Sequence, residues 1–77
     1  MMTNNFGKFC RKLRIDNNEL LYDMAKKLGV SSAFLSKVEN GKKKPPKEWR
    51  EVLIREYHLN EREIHDLDQY MYEAQNY

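Results

Sequence analysis

The sequence predicts an all-α protein, a compact domain built from five helices. Apolar residues recur at intervals of three and four residues along five segments, which is the pattern of one helix face. No long stretch alternates apolar and polar residues, as a half-buried strand would. Because 77 residues, 40% of them hydrophobic, supply material for one core only, we expect a single domain over residues 1–77.

The first two helices are predicted at about residues 5–15 and 19–28. Helix 2 closes at Gly29, the residue type that most readily takes the left-handed conformation at a helix end. The apolar residues that define the two buried faces are Phe6, Phe9, Cys10 and Leu13 in helix 1 and Leu21, Met24, Ala25 and Leu28 in helix 2.

Helices 3 and 4 are separated by a stiff basic connector. Ser31 can cap helix 3, whose end is set by Asn40 and the glycine after it. The connector reads KKKPP over residues 42–46, and its prolines donate no backbone hydrogen bond and restrict the residues before them. Pro46 suits the first turn of helix 4, which is predicted at about residues 46–57 with a buried face of Trp49, Val52, Leu53 and Tyr57.

Helix 5 is predicted at about residues 61–74, behind a capping box of Asn60 and Glu63 in which Asn replaces the usual Ser or Thr. Its apolar stripe follows a core already supplied by helices 1–4, about residues 5–57, so we expect the stripe to join two copies of the chain. The alternative is that it folds back onto its own domain. The expected dimer-interface residues are Ile64, Leu67, Tyr70, Met71 and Ala74.

Charge is divided unevenly along the chain. Residues 1–50 hold twelve Lys and Arg against five Asp and Glu, a balance of +7, whereas residues 51–77 have a balance of −5. This asymmetry favours one surface for a polyanion and another kept away from it. An ordinary mixed surface is the alternative that charge alone leaves open.

Several classes of protein are disfavoured by what the sequence lacks. No apolar run approaches the roughly 18 residues of a membrane span, and residues 1–5 lack a basic segment followed by an apolar one. We therefore expect a cytoplasmic protein without a membrane partner. Cys10 is expected to be a reduced core thiol, and His58 and His65 belong to no metal-ligand motif. We expect no enzyme, no cofactor and no metal.

Two predicted helices joined by about three residues, with a glycine in the joint, are the most informative feature. So tight a turn makes the helices cross steeply, and the second helix protrudes. This geometry needs a small residue at the helix contact, a glycine in the turn and apolar anchors on the second helix. These requirements are met by Ala25, Gly29, Val30, Leu35 and Val38.

Residues 24–41, MAKKLGVSSAFLSKVENG, resemble the helix-turn-helix of the Cro-like, xenobiotic-response-element-like (XRE) phage-repressor family. Its motif reads approximately Leu-Ala-x-x-Leu-Gly-Val-Ser-x-x-x-Ile-Ser-x-x-Glu-x-Gly, with Met24 and Leu35 as conservative departures here. The resemblance covers helices 1–4. It implies a phage-repressor-type fold and a transcriptional regulator, a repressor by preference, that reads the major groove of a double-stranded DNA operator.

The resemblance also implies roles for single residues. Arg14 is expected to pair with Glu39, with Ala25 and Gly29 as the other structural positions of the motif. At the start of helix 2 the family often has Thr-Gln, whose glutamine contacts a phosphate. Leu20 and Leu21 stand there instead, so we expect that contact to be absent or replaced.

Helix 3 is sorted by its rotation of about 100° per residue into an inner and an outer face. The outer residues suited to base edges are Ser32, Ala33, Ser36 and Lys37. Those suited to phosphate are Ser31, Asn40, Lys42, Lys43, Lys44 and Lys47. The alternative for such a face is simple solvation.

Two further expectations concern partners. One small reading helix covers too few base pairs for a unique site, so we expect a homodimer on two half-sites. Because small proteins of this family also serve as antitoxins, the alternative is that the chain binds a partner toxin and represses its own operon. The resemblance does not separate these two regulators.

Overall fold

The computed structural model describes residues 4–76, which contain five α-helices and no strand. The predicted all-α, five-helix class is confirmed. Expectations for residues 1–3 and for the ends of the 1–77 domain lie outside the described part. Between residues 4 and 76, no helix is long and apolar enough to span a membrane. The helices are α1 (Asn5–Asp16), α2 (Leu21–Leu28), α3 (Ser32–Glu39), α4 (Trp49–Tyr57) and α5 (Glu61–Gln75).

Local capping sets most helix ends where the sequence predicts them. The Ser31 hydroxyl accepts a hydrogen bond from the Phe34 N–H at 3.1 Å and so caps α3. Asn60 and Glu63 each accept a hydrogen bond from the other's backbone N–H, at 2.8 and 2.9 Å, and form the expected box before α5. Gly29 ends α2 with φ 74°, in the left-handed region.

The predicted start of helix 4 at Pro46 is wrong by three residues, since α4 begins at Trp49. The Trp49 N–H donates to the Pro46 carbonyl at 3.1 Å, and the Arg50 N–H donates to the Lys47 carbonyl at 3.3 Å. These bonds span three residues rather than four, so residues 46–48 form a turn tighter than an α-helix. The Pro45 carbonyl also accepts a hydrogen bond from the Gln75 side chain of α5 at 3.0 Å.

The core draws on all five helices and is centred on Trp49, which is 2% exposed. Its indole stacks on Phe6 at 6.2 Å and meets Phe34 edge-on at 5.9 Å between ring centroids. In this arrangement α1 packs on α3 and α5, α2 packs on α3 and α4, and α4 packs on α5.

The α5 stripe packs on its own domain, the alternative to the expected interface between two copies, and a homodimer itself stays a prediction. Leu67 and Met71 are 0% and 6% exposed inside their own domain, while Ile64, Tyr70 and Ala74 are half-buried and pack against the same core. The physical reason is that helices 1–4 do not close the core without α5. Phe9 of α1, for example, is covered by the Tyr70 ring edge-on at 6.0 Å.

Candidate nucleic-acid interface

A buried ion pair ties the end of α1 to the end of α3. The Arg14 guanidinium donates two hydrogen bonds to the Glu39 carboxylate, at 2.5 and 3.0 Å, and the side chains are 9% and 4% exposed. Burial alone would lower the pKa of Arg14, but the hydrogen bond and charge of Glu39 raise the pKa on balance. The guanidinium therefore remains charged, and this bidentate contact fixes how α3 lies on α1.

The joint between α2 and α3 is only residues 29–31. The Val30 N–H donates to the Ala25 carbonyl at 3.0 Å, and the Gly29 N–H donates to the Lys26 carbonyl at 3.1 Å, so two carbonyls of the last turn of α2 are satisfied. Ala25 is 1% exposed where α2 packs on α3. A second set of buried contacts therefore fixes the beginning of α3.

The inner and outer faces of α3 separate as predicted. Leu35 and Val38 are fully buried, whereas Ala33 and Lys37 are exposed. Ser32 and Ser36 are half-buried, at the borders of the outer face. The predicted base-contacting residues thus lie together on the outward side of one helix.

The predicted phosphate-contacting residues continue from the two ends of α3. Ser31 is its N-cap and Asn40 its C-cap, where the Asn40 amide donates to the Ser36 carbonyl at 2.9 Å. The Lys42 N–H donates to the Lys37 carbonyl at 2.8 Å, so the connector leaves directly from the last turn of α3. The exposed cations of this stretch are Lys42, Lys43, Lys44 and Lys47.

The positive charge of residues 4–50 is mostly unneutralised. Four cations there form ion pairs within the described chain, namely Lys12, Arg14, Lys27 and Arg50. Eight others are exposed and have no ion-pair partner among residues 4–76; they are Lys8, Arg11, Lys26, Lys37, Lys42, Lys43, Lys44 and Lys47. Such a surface attracts polyanions. Its binding to a nucleic acid is favoured by entropy, because condensed counterions of the nucleic acid are released.

Leu20 and Leu21, where the resembled family often has Thr-Gln, offer no side chain that binds phosphate. Leu20 is 73% exposed and Leu21 is half-buried against the core, and neither side chain has a hydrogen-bond donor. The Leu20 N–H is itself taken by Asp23, at 2.8 Å. The glutamine contact of the resembled family is therefore not replaced by a side chain at these two positions.

Cys10 is 0% exposed, and burial raises the pKa of its thiol far above the ordinary range, with the Glu39 charge adding to the shift. The thiol therefore stays protonated in the core. Between residues 4 and 76, no cluster of three or more His, Cys, Asp or Glu side chains is arranged to hold a metal ion.

Lys8 is a residue that sequence reasoning left without a role. The structure places it on the rim of the same groove as Lys42, Lys43 and Lys44. No spacing rule reveals this neighbourhood, because the groups are more than thirty positions apart.

Comparison with known protein families, curated proteins and solved structures finds no match for this chain.

Proposed function

We propose that this protein is a sequence-specific double-stranded DNA-binding regulator, in which α2 and α3 act as a helix-turn-helix and α3 enters the major groove. The observation that carries the proposal is the combination of a rigidly held helix with an exposed polar face. α3 is fixed by the Arg14–Glu39 pair and by the short joint after α2, and its outer face adjoins unpaired lysines. Rigid placement is what base readout requires, since one misplaced donor loses its bond.

Within this proposal the side chains divide by chemistry. Lys37 donates to guanine O6 and N7, Ser32 and Ser36 bond either base type, and the Ala33 methyl contacts a thymine methyl. The connector lysines hold phosphates, because flexible ammonium groups on a loop reach the backbone without reading bases. Repression follows from blocking a promoter, as so small a domain offers little surface for recruiting polymerase.

Two copies are proposed to bind one operator. The described protomer has principal extents of 28 × 24 × 20 Å, whereas half-sites on one face of DNA are about 34–36 Å apart. One copy therefore covers one half-site. Since Leu67 and Met71 lie in the core, contact between copies uses other surfaces or the DNA itself.

Selection of bound fragments from random double-stranded DNA tests the proposal. We expect purified protein to enrich one consensus made of two related half-sites, and the Lys37→Ala variant to enrich it more weakly. Lys26→Ala, an exposed and unpaired lysine on α2, is the matched control and should enrich the wild-type consensus. No enrichment over the starting pool would overturn the function, and a single half-site would overturn the two-copy arrangement.

A further inference from the structure

A groove of about 650 Å³ lies between the connector, the first turns of α1 and the last turns of α5. Its volume is within the range of about 300–1,000 Å³ typical of small-molecule sites, and is more than an inorganic phosphate fills. The residues that bear on its chemistry are Lys8, Lys42, Lys43, Lys44, Tyr70 and Glu73.

The rim of this groove carries surplus positive charge. Four lysines border it against one acid, Glu73, whose carboxylate already accepts a hydrogen bond from the Asn5 amide at 3.1 Å. A second groove, of about 350 Å³ on the other side of Lys8, is balanced instead, because two lysines there face Glu63 and Asp66. The larger groove is the one with an excess of cations for an anionic ligand.

The floor of the groove is partly apolar. Tyr70 is half-buried and held edge-on against Phe9, and Ala74 beside it is also half-buried. An aromatic side chain fixed in this way can stack on a ligand ring without losing further rotamer freedom. A cationic rim above an aromatic floor matches a ligand that has both an anionic group and a ring.

The walls of the groove are preformed. Asn4 caps α1 by accepting a hydrogen bond from the Gly7 N–H at 2.7 Å, and its own N–H donates to the Glu39 carbonyl at 3.1 Å. Next in the chain to the lining residues Ala74 and Lys44, the Gln75 side chain of α5 donates to the Pro45 carbonyl at 3.0 Å and so holds the connector. Little ordering of the backbone is therefore needed when a ligand enters.

We propose that this groove binds a small anion that carries an aromatic ring. Lys8 and the connector lysines hold the anionic group, and Tyr70 supports the ring. The site is separate from the outer face of α3, and its existence does not depend on DNA binding. If the proposed function holds, the ligand and DNA draw on the same connector lysines and compete.

Calorimetric titration with adenosine monophosphate, adenosine and inorganic phosphate, at one ionic strength and without DNA, tests the site. We expect the monophosphate to bind at least about tenfold more tightly than either half alone, because it engages rim and floor together. No binding of the monophosphate, or binding no tighter than that of phosphate, would overturn the proposal.

Two substitutions with opposite expected effects on monophosphate affinity test where the site lies. Lys8→Gln should weaken monophosphate binding about two- to fivefold, and Glu73→Gln, which retains an acceptor for Asn5, should strengthen it by a similar factor. The control is Lys26→Gln, an exposed lysine that lines neither groove. If Lys26→Gln weakens binding as much as Lys8→Gln does, the groove is not the site.

Competition is tested separately by measuring duplex DNA affinity with and without saturating monophosphate. We expect the ligand to weaken DNA binding several-fold in wild type, and less at the same concentration in Lys8→Gln. Unchanged DNA affinity with a bound ligand would contradict competition. If no duplex binds at all, the regulator function fails, and the titration without DNA still decides the groove.

Discussion

At the scale of single residues, Arg14 and Glu39 fix α3 most directly. Removing one partner of a buried ion pair costs about 3–5 kcal/mol, because it leaves an uncompensated charge, whereas an exposed pair contributes about 0–1 kcal/mol. Glu39→Ala should therefore lower the free energy of unfolding by about 3 kcal/mol or more. Urea denaturation checks this prediction.

The matched control is Asp16→Ala, because Asp16 pairs with Lys12 at 3.2 Å with both side chains more than half exposed. We expect a loss below about 1 kcal/mol from this change. Equal losses from Glu39→Ala and Asp16→Ala would mean that the buried pair does not hold α3 in place.

The buried thiol of Cys10 is expected to lower the stability of the fold at high pH. Burial raises the pKa of its thiol in the folded protein above the ordinary value of about 8.5. Below that pH the thiol is protonated in both the folded and the unfolded chain, so its full contribution to the free energy of unfolding is present. Above that pH the thiol ionises only in the unfolded chain, and unfolding releases a proton. The free energy of unfolding should then fall by up to about 1.4 kcal/mol per pH unit from this residue.

Cys10→Ala isolates the contribution of the thiol. Groups that titrate above pH 9 without interacting with Cys10 remain in both proteins and cancel in the difference. The stability advantage of wild type over Cys10→Ala should therefore shrink between pH 8 and pH 10 in urea denaturation. A constant difference across this range would show that the thiol ionises as easily in the fold as in the unfolded chain.

At the scale of elements, α5 belongs to the core of its own protomer. Leu67 is fully buried, and a buried Leu→Ala change costs about 2–5 kcal/mol through lost burial and the cavity left behind. Leu67→Ala should destabilise the fold by that amount without changing the oligomeric state, as measured by denaturation and light scattering. Tyr72→Ala, at a position 68% exposed on the same helix, should cost less than about 1 kcal/mol.

A Leu67→Ala protein that stays as stable as wild type but changes from dimer to monomer would contradict this placement of α5. The same stripe would then lie between two copies, as the sequence pattern alone suggested.

The lysines of the connector, residues 42–46, are expected to supply affinity for DNA without sequence preference. Lys43 is exposed and has no ion-pair partner within residues 4–76. Lys43→Gln should reduce the slope of log affinity against log salt by about 1, equally for different duplexes. Fluorescence anisotropy over a series of salt concentrations measures this slope. A changed sequence preference with an unchanged slope would place Lys43 at a base instead.

Short sequence patterns predicted the helices and their ends well, but they predicted contacts between distant residues poorly. The caps at Ser31 and Asn60 and the turn at Gly29 lie within a few residues of the groups they satisfy, so the sequence contains the whole interaction. The destination of the α5 stripe could not be read in this way, since an apolar face looks the same whether its partner is its own core or a second copy.

The Arg14–Glu39 pair and the groove lined by Lys8 show that long-range contacts of the site are also hard to predict from the sequence. Arg14 and Glu39 are 25 positions apart, and only the family resemblance suggested their contact. Lys8 lines the same groove as the connector because α1, α3 and α5 pack around one core. Relations of this kind follow from tertiary packing, which no local spacing encodes.

At the scale of the whole molecule, the division of charge has a structural counterpart. The unpaired cations lie on α1, α2, α3 and the connector, while the acids of residues 51–77 lie on α4 and α5. A protomer with a net charge of only +2 therefore concentrates its unpaired cations on these three helices and the connector. In the proposed complex with DNA, we expect the acidic helices to disfavour other orientations by repulsion.

The central claim is sequence-specific reading of DNA by α3, and the ratio of affinities for the selected duplex and a shuffled duplex tests it most directly. We predict a wild-type ratio of about 10³ or more. Lys37→Ala should weaken the free energy of binding to the selected duplex by about 1–3 kcal/mol and so lower the ratio. Lys43→Ala should weaken both duplexes alike and preserve the ratio. A wild-type ratio near one would contradict the account.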